Sequence, residues 1–201
     1  NLDSLYIFSD SSIETLLNEI SNFWDKKELF ERHGLVHKRG ILLEGPPGNG
    51  KTSLISLISR QIIEKGGVVF TISDVQQLPL YIDFITIDFR SIQPNTPIIT
   101  IIEDLEDFSA SPYILDFFDG KNSLNYHIII ATTNNTGEIP DALLRPSRID
   151  IRTLLNNPSE QTIKEYFVFK NVPPEDLEEL VKLSNGLSLA DLKELYIAIY
   201  L

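Results

Sequence analysis

The chain has no cysteine and no methionine, one tryptophan and three histidines. Without cysteine there is no disulfide and no thiolate metal site, which fits a reducing compartment such as the cytoplasm. His33, His37 and His127 stand at no metal-ligand spacing, so a histidine-built metal centre is not expected. Positive charge is scarce: 17 Lys and Arg against 29 Asp and Glu leave a net charge of −12. Phosphate contacts need clustered cations, and no Lys/Arg-rich stretch exists, so nucleic acid is the weaker partner candidate, a local basic channel aside. No apolar run approaches the roughly 20 residues of a membrane span. Methionine is missing at position 1 too, so the chain reads as a piece or a processed product, with an anchor or targeting segment before Asn1 compatible with that reading. There is no internal repeat and no low-complexity tract.

What is present centres on Gly45-Pro46-Pro47-Gly48-Asn49-Gly50-Lys51-Thr52. Gly, four residues, then Gly-Lys-Thr is the phosphate-loop pattern. The apolar strand Ile41-Leu42-Leu43 precedes it, and a helix begins with Ser53-Leu54-Ile55. The glycines let backbone N–H groups converge on a phosphate, and the helix start adds partial positive charge. Lys51 would reach the β- and γ-phosphates, and the Thr52 hydroxyl would bind Mg²⁺. A glycine turn that merely precedes Lys-Thr is the bland alternative, and the strand–loop–helix context argues against it.

Around this loop the pattern alternates strand and helix, the mark of a parallel α/β sheet. Helical spacing runs from Ile13 through Trp24, with Trp24 read as core, and a short helix through Glu28–Glu31 ends near Gly34. Val36, just before the first strand, is placed either beside an adenine base or in plain packing. His37 reads as a solvated loop residue. Val68–Ile72 is a second strand, Ser73–Tyr81 a loop containing Pro79, and Ile82–Arg90 a short helix. The continuous apolar run Ile98–Ile102 suits a strand buried on both faces. It ends in Glu103-Asp104, with Glu106-Asp107 beyond. Beside a phosphate loop, one carboxylate can hold Mg²⁺ and another can orient and deprotonate an attacking water. Pro112–Asp119 is a helix stopped by Gly120, and His127–Thr132 a further buried strand tipped by Thr133-Asn134-Asn135, where an amide can meet the γ-phosphate. Arg145 and Arg148, three apart, precede a fifth strand at Ile149–Leu155; they suit phosphate oxygens or surface ion pairs. Beyond Pro158 only helices follow: Glu160–Phe169, Pro174–Ser184 and Ser188–Tyr200.

Taken in order, the phosphate loop, Ile98–Asp104, Ala131-Thr132-Thr133-Asn134, Leu144–Asp150 and Gly186-Leu187-Ser188-Leu189-Ala190-Asp191-Leu192 resemble the AAA ATPase family. Arg39–Pro47 and Asp119-Gly120 strengthen the likeness, which spans roughly residues 12 to 200. Within the family, the Glu-Asp order at the strand tip is similar to the Bcs-type branch. The resemblance implies a P-loop NTPase with a five-stranded parallel sheet flanked by helices, over 12–156, after a lead-in over 1–11. A small helical lid follows over 157–201, and the chain ends one lid helix sooner than the family pattern. It implies ATP and Mg²⁺ at the seam. Gly45–Thr52 match Walker A, with Ser53 beside it. Glu103 and Asp104 match Walker B, Asn134 matches sensor 1 with Asn135 as its register alternative, and Gly186 and Ala190 match the lid segment beside the nucleotide. Arg145 and Arg148 match arginine fingers, which act on ATP of a neighbouring subunit and so imply a ring, most often a hexamer. Most AAA modules have Asp then Glu at the Walker B tip. The reversed order makes the catalytic carboxylate, Asp104, one methylene shorter and hydrolysis slow. Where translocases carry a pore residue, this chain has Leu78-Pro79-Leu80-Tyr81, so Leu80 or Tyr81 grips a polypeptide or packs in the core. The expected function is an ATP-driven motor on protein; the alternatives are an ATPase on nucleic acid and a ring scaffold with weak turnover.

Overall fold

The computed structural model describes residues 11–109, 111–119 and 125–201. The expected lead-in, apart from Ser11, and the expected stop at Gly120 lie outside the described residues. Helices α1 (Ser11–Trp24) and α2 (Lys27–Arg32) precede β1 (Lys38–Glu44), and α3 (Lys51–Glu64) leads to β2 (Val68–Ile72). Next come α4 (Leu78–Asp83), a π-helical stretch (Phe84–Phe89) and a last turn, α5 (Arg90–Ile92). Strand β3 (Ile98–Ile102), α6 (Pro112–Asp119), β4 (His127–Thr133) and β5 (Ile151–Leu154) complete the sheet, and α7 (Glu160–Phe169), α8 (Pro174–Leu183) and α9 (Leu189–Tyr200) follow.

The five strands lie in the order β2-β3-β4-β1-β5, every pairing parallel. Alternate residues of each strand serve opposite faces. Ile41, Leu43, Ile99, Ile101, Ile128 and Ile130 pack against α1 and α3, with Trp24 in the same cluster. Leu42, Ile98, Ile102, Ile129 and Ala131 pack against α4, α6 and the loop carrying Leu143 and Ile149. All residues of β3 and β4 are buried, as their unbroken apolar runs require. A separate cluster holds α7, α8 and α9 together through Ile163, Phe167, Leu180 and Leu192.

Two sequence expectations give way in this packing. The 73–81 segment is helical from Leu78, because Pro79 falls in the first turn, where an N–H has no helical partner anyway. Leu78, Ile82 and Ile85 then bury one helix face. Tyr81 turns inward with them: its ring packs on Phe70 at 5.5 Å and Phe117 at 5.9 Å, and its hydroxyl hydrogen-bonds Thr100. Burial pushes its phenol pKa up. Tyr81 is thus a core residue and no grip for a polypeptide, whereas Leu80 stays 74% exposed. His37, expected in solvent, is buried among Phe23, Phe30 and Tyr126, and its Nε2–H donates to the Phe23 carbonyl at 2.8 Å. Burial holds it below the ordinary histidine value.

His127 completes a buried polar row, Tyr81–Thr100–His127, with Nε2 at 2.7 Å from Thr100 Oγ1. Burial pushes its pKa down to about 3. The folded value lies below the unfolded one, so the neutral ring's contribution is complete above about pH 6.5 and is lost as pH falls. Between pH 7 and pH 5 the native chain is expected to lose about 2 kcal/mol more unfolding free energy than His127→Gln. Parallel denaturation curves for the two across that range would refute it.

Candidate active site

The C-terminal edge of the sheet gathers the loop after β1 and the tips of β3 and β4. Gly45 has φ 145, and a Cβ there would stand 2.2 Å from the Leu155 carbonyl oxygen. Gly50, left-handed at φ 86, caps α3, whose first backbone bond runs from Leu54 N–H to the Gly50 oxygen at 2.9 Å. The N–H groups of Lys51, Thr52 and Ser53 therefore have no partner within the helix, and the helix dipole adds to their pull on an anion. Lys51 Nζ donates to Gly45 O at 2.6 Å, Pro46 O at 3.0 Å and Asn134 Oδ1 at 2.7 Å. Burial holds this ammonium below the ordinary lysine value, opposed by Asp104 and then Glu106. A bare glycine cradle with a lysine and a helix start fits a nucleotide polyphosphate.

Asn134 ties the edge together. Its Nδ2 donates to Asp104 Oδ1 at 3.4 Å, and its backbone N–H faces Glu106 Oε1 at 3.5 Å. Asn135 instead caps the next turn, accepting from Gly137 N–H at 3.0 Å and donating to Glu138 at 2.8 Å. Asp104 is left-handed, with φ 52 and ψ 64, and its N–H donates to Thr132 Oγ1 at 3.1 Å. That kink parts the acid pair. Asp104 meets Asn134, while Glu103 lines a groove of about 640 Å³ together with Thr52 over an apolar floor of Ile55, Val69 and Ile101. A hydroxyl and one carboxylate suit Mg²⁺, which keeps waters and substrate phosphates as further ligands. Among the described residues no cluster of three or more metal-ligating side chains occurs, so an all-protein cage is not on offer.

The lid segment closes the loop's other side. Ala190 N–H donates to the Gly48 oxygen at 3.1 Å, and Ser188 and Asp191 form a capping box at the start of α9. A Cβ on Gly48 would stand 2.8 Å from Ser188 Oγ. Buried Asn49 donates to Asn157 at 2.8 Å, and Asn157 donates in turn to the Gly186 oxygen at 2.8 Å. Pro47 is exposed on the loop's rim. Below the loop, Glu44 is chelated by Arg152 at 2.5 and 3.1 Å.

Val36 does not join this site. It precedes β1, whose seven residues, at about 3.3 Å each, put roughly 20 Å between its edge and the phosphate loop. Arg145 and Arg148 also lie at that far edge, where the Asp150 N–H meets the Gly40 oxygen at 2.8 Å.

Sequence reasoning gave no individual role to Glu106, Thr132, Asn157 or Arg152. Glu106 carried a signal, two residues past Asp104, but nothing in the sequence sets its reach. The others are joined to the site by pairings of 28 residues or more.

Comparison with known proteins bears directly on this edge. The family model for the ATPase family associated with various cellular activities (AAA) matches residues 41–157. An AAA ATPase forming ring-shaped complexes from Kocuria rhizophila is 26% identical over 172 residues, 70% of this chain and 30% of the relative. A probable mitochondrial chaperone bcs1 from Schizosaccharomyces pombe is 25% identical over 208 residues, 94% and 45% of the two chains. The ATP-dependent zinc metalloprotease FtsH 1 of Thermomicrobium roseum is 30% identical over 205 residues, 89% and 31%. The chain thus spans less than half the length of these curated relatives. The matched segment is more than half of this chain and runs from β1 past β5, through every strand-tip residue just described, and on that match the chain belongs to the AAA ATPase family.

Proposed function

We propose that this chain binds ATP with Mg²⁺ at the 45–52 loop, hydrolyses it within a ring of identical subunits, most simply a hexamer, and uses the cycle to remodel or translocate a protein. The observation that carries the reading is the connected set Lys51–Asn134–Asp104 at the sheet edge. Lys51 and the N–H groups of 51–53 bind the phosphates; Asn134 orients a water against the terminal phosphate; Asp104 takes its proton. Thr52 and Glu103 would hold Mg²⁺, which when bound neutralises developing charge on the phosphate oxygens. Support for a ring comes from relatives named as ring-forming and from Arg145, which lies at the edge opposite its own phosphate loop. Protein is favoured over nucleic acid by the net charge of −12. Leu80 remains the exposed apolar candidate for contact with a polypeptide.

The test is ATP turnover per chain as protein concentration rises. Turnover is expected to climb steeply and then level as rings fill. A low, flat rate with ATP still bound would reject the motor and favour a ring that assembles on ATP with little hydrolysis.

A further inference from the structure

The two arginines of the 141–150 segment stand in different environments. Arg148 is engaged on three sides: Nε and Nη2 chelate Asp119 at 2.5 and 2.9 Å, and Nη1 donates to the Ala142 carbonyl. Its side chain is 16% exposed and that of Asp119 20%. The Asp119 carboxylate raises the guanidinium's pKa further above its ordinary value. Arg145 is exposed, and among the described residues its guanidinium has no ion pair or hydrogen bond.

The turn between them is pinned from β1 and α6. Arg145 O accepts from Arg148 N–H at 3.2 Å and Ile149 N–H at 3.3 Å. Ser147, left-handed at φ 75, donates its N–H to Asp150 Oδ1 at 3.1 Å and receives Lys38 Nζ on its oxygen at 2.7 Å. The same Lys38 ammonium holds the Phe118 carbonyl at the end of α6. Asp150 Oδ2 accepts from Gly40 N–H at 3.0 Å. A Cβ on Gly40 would stand 1.7 Å from the Arg148 oxygen, so β1 and this turn pack backbone to backbone.

We propose that Arg148 is a positioning residue, a strut clamped by Asp119, and that Arg145 alone reaches the nucleotide of the neighbouring subunit. The inference rests on the ring reading above. Freeing Arg148 to act on a phosphate would break two charge-assisted hydrogen bonds to the largely buried Asp119 carboxylate and one to the Ala142 carbonyl at once. Keeping it in place fixes the backbone from which Arg145 projects, and placement is what an electrostatic group needs to act on a transition state.

The experiment measures kcat and KM for ATP in the assembled protein for Arg145→Ala, Asp119→Ala, Asp119→Asn and the double variant Arg145→Ala with Asp119→Ala. Asp119→Ala and Asp119→Asn are expected to lower kcat about 10- to 100-fold with KM unchanged, since an ångström of misplacement has that effect. In the Arg145→Ala background, Asp119→Ala is expected to add no further loss, which general damage to the fold would do. Wild-type or faster turnover in Asp119→Asn would overturn the proposal, because releasing Arg148 should then have freed a working finger. Undiminished turnover in Arg145→Ala would overturn the assignment of Arg145, whatever the Asp119 variants do, whereas turnover that fails to rise with protein concentration would overturn the ring reading on which it rests.

Discussion

Arg145→Ala is expected to lower ATP turnover of the assembled protein by about 10³-fold or more while leaving ATP affinity within a few-fold. The size follows from what a guanidinium does in phosphoryl transfer, where charge spread over the phosphate oxygens is met by fixed donors. On the ring reading proposed above, that loss falls on the site of a neighbour. Gly40, against which the arginine turn packs, is five residues from Gly45, about 16 Å along an extended strand. A mixing experiment separates this from a local defect. Lys51→Ala subunits have a crippled phosphate loop and an intact Arg145; Arg145→Ala subunits have the reverse. Each alone is expected to be near inactive, and mixed rings are expected to recover turnover in proportion to the number of complementary neighbours. No recovery, with ring assembly confirmed by scattering, would place Arg145 outside catalysis.

The readable part of this molecule is what local chemistry dictates. A phosphate loop is a backbone shape, and Gly45, Gly48 and Gly50 all adopt positive φ, which other residues resist. The unbroken isoleucine runs of β3 and β4 announce strands buried on both faces. The failures share a cause. Tyr81, His37 and Val36 each required knowing where a side chain lies relative to a distant element. Tyr81 was ambiguous because Pro79 can break a helix or begin one; the core under Leu78 and Ile82 decides. His37 looked polar in a loop, yet α1 and α2 bring Phe23 and Phe30 over it. Val36 is near the phosphate loop in sequence and a strand's length from it in space. The different settings of Arg145 and Arg148 likewise depend on Asp119, 29 residues earlier than Arg148.

Asp104→Asn is expected to cut turnover by at least about 10²-fold while ATP stays bound, because the amide keeps the shape of the carboxylate and cannot accept a proton. Filter-bound or co-eluting ATP on the variant, against ADP on the native protein, is the measurement. The assignment rests on Asp104 being the acid that meets Asn134, while Glu103 lines the groove that Thr52 also lines. It has a rival in the same turn. Glu106 approaches the Asn134 backbone, and one of its carboxylate oxygens is buried without a partner among the described residues. Glu106→Gln therefore belongs beside Asp104→Asn. Should Asp104→Asn turn over normally while Glu106→Gln traps ATP, the longer carboxylate is the base and the reversed Glu-Asp order has lost its importance. If Asp104→Asn alone traps ATP, proton acceptance falls to a carboxylate one methylene shorter than in most AAA modules, on a left-handed residue held 3.4 Å from its asparagine. A base so placed must draw its water closer before it can act, which is a physical reason for a slow cycle whose pace a partner could raise by tightening that one contact.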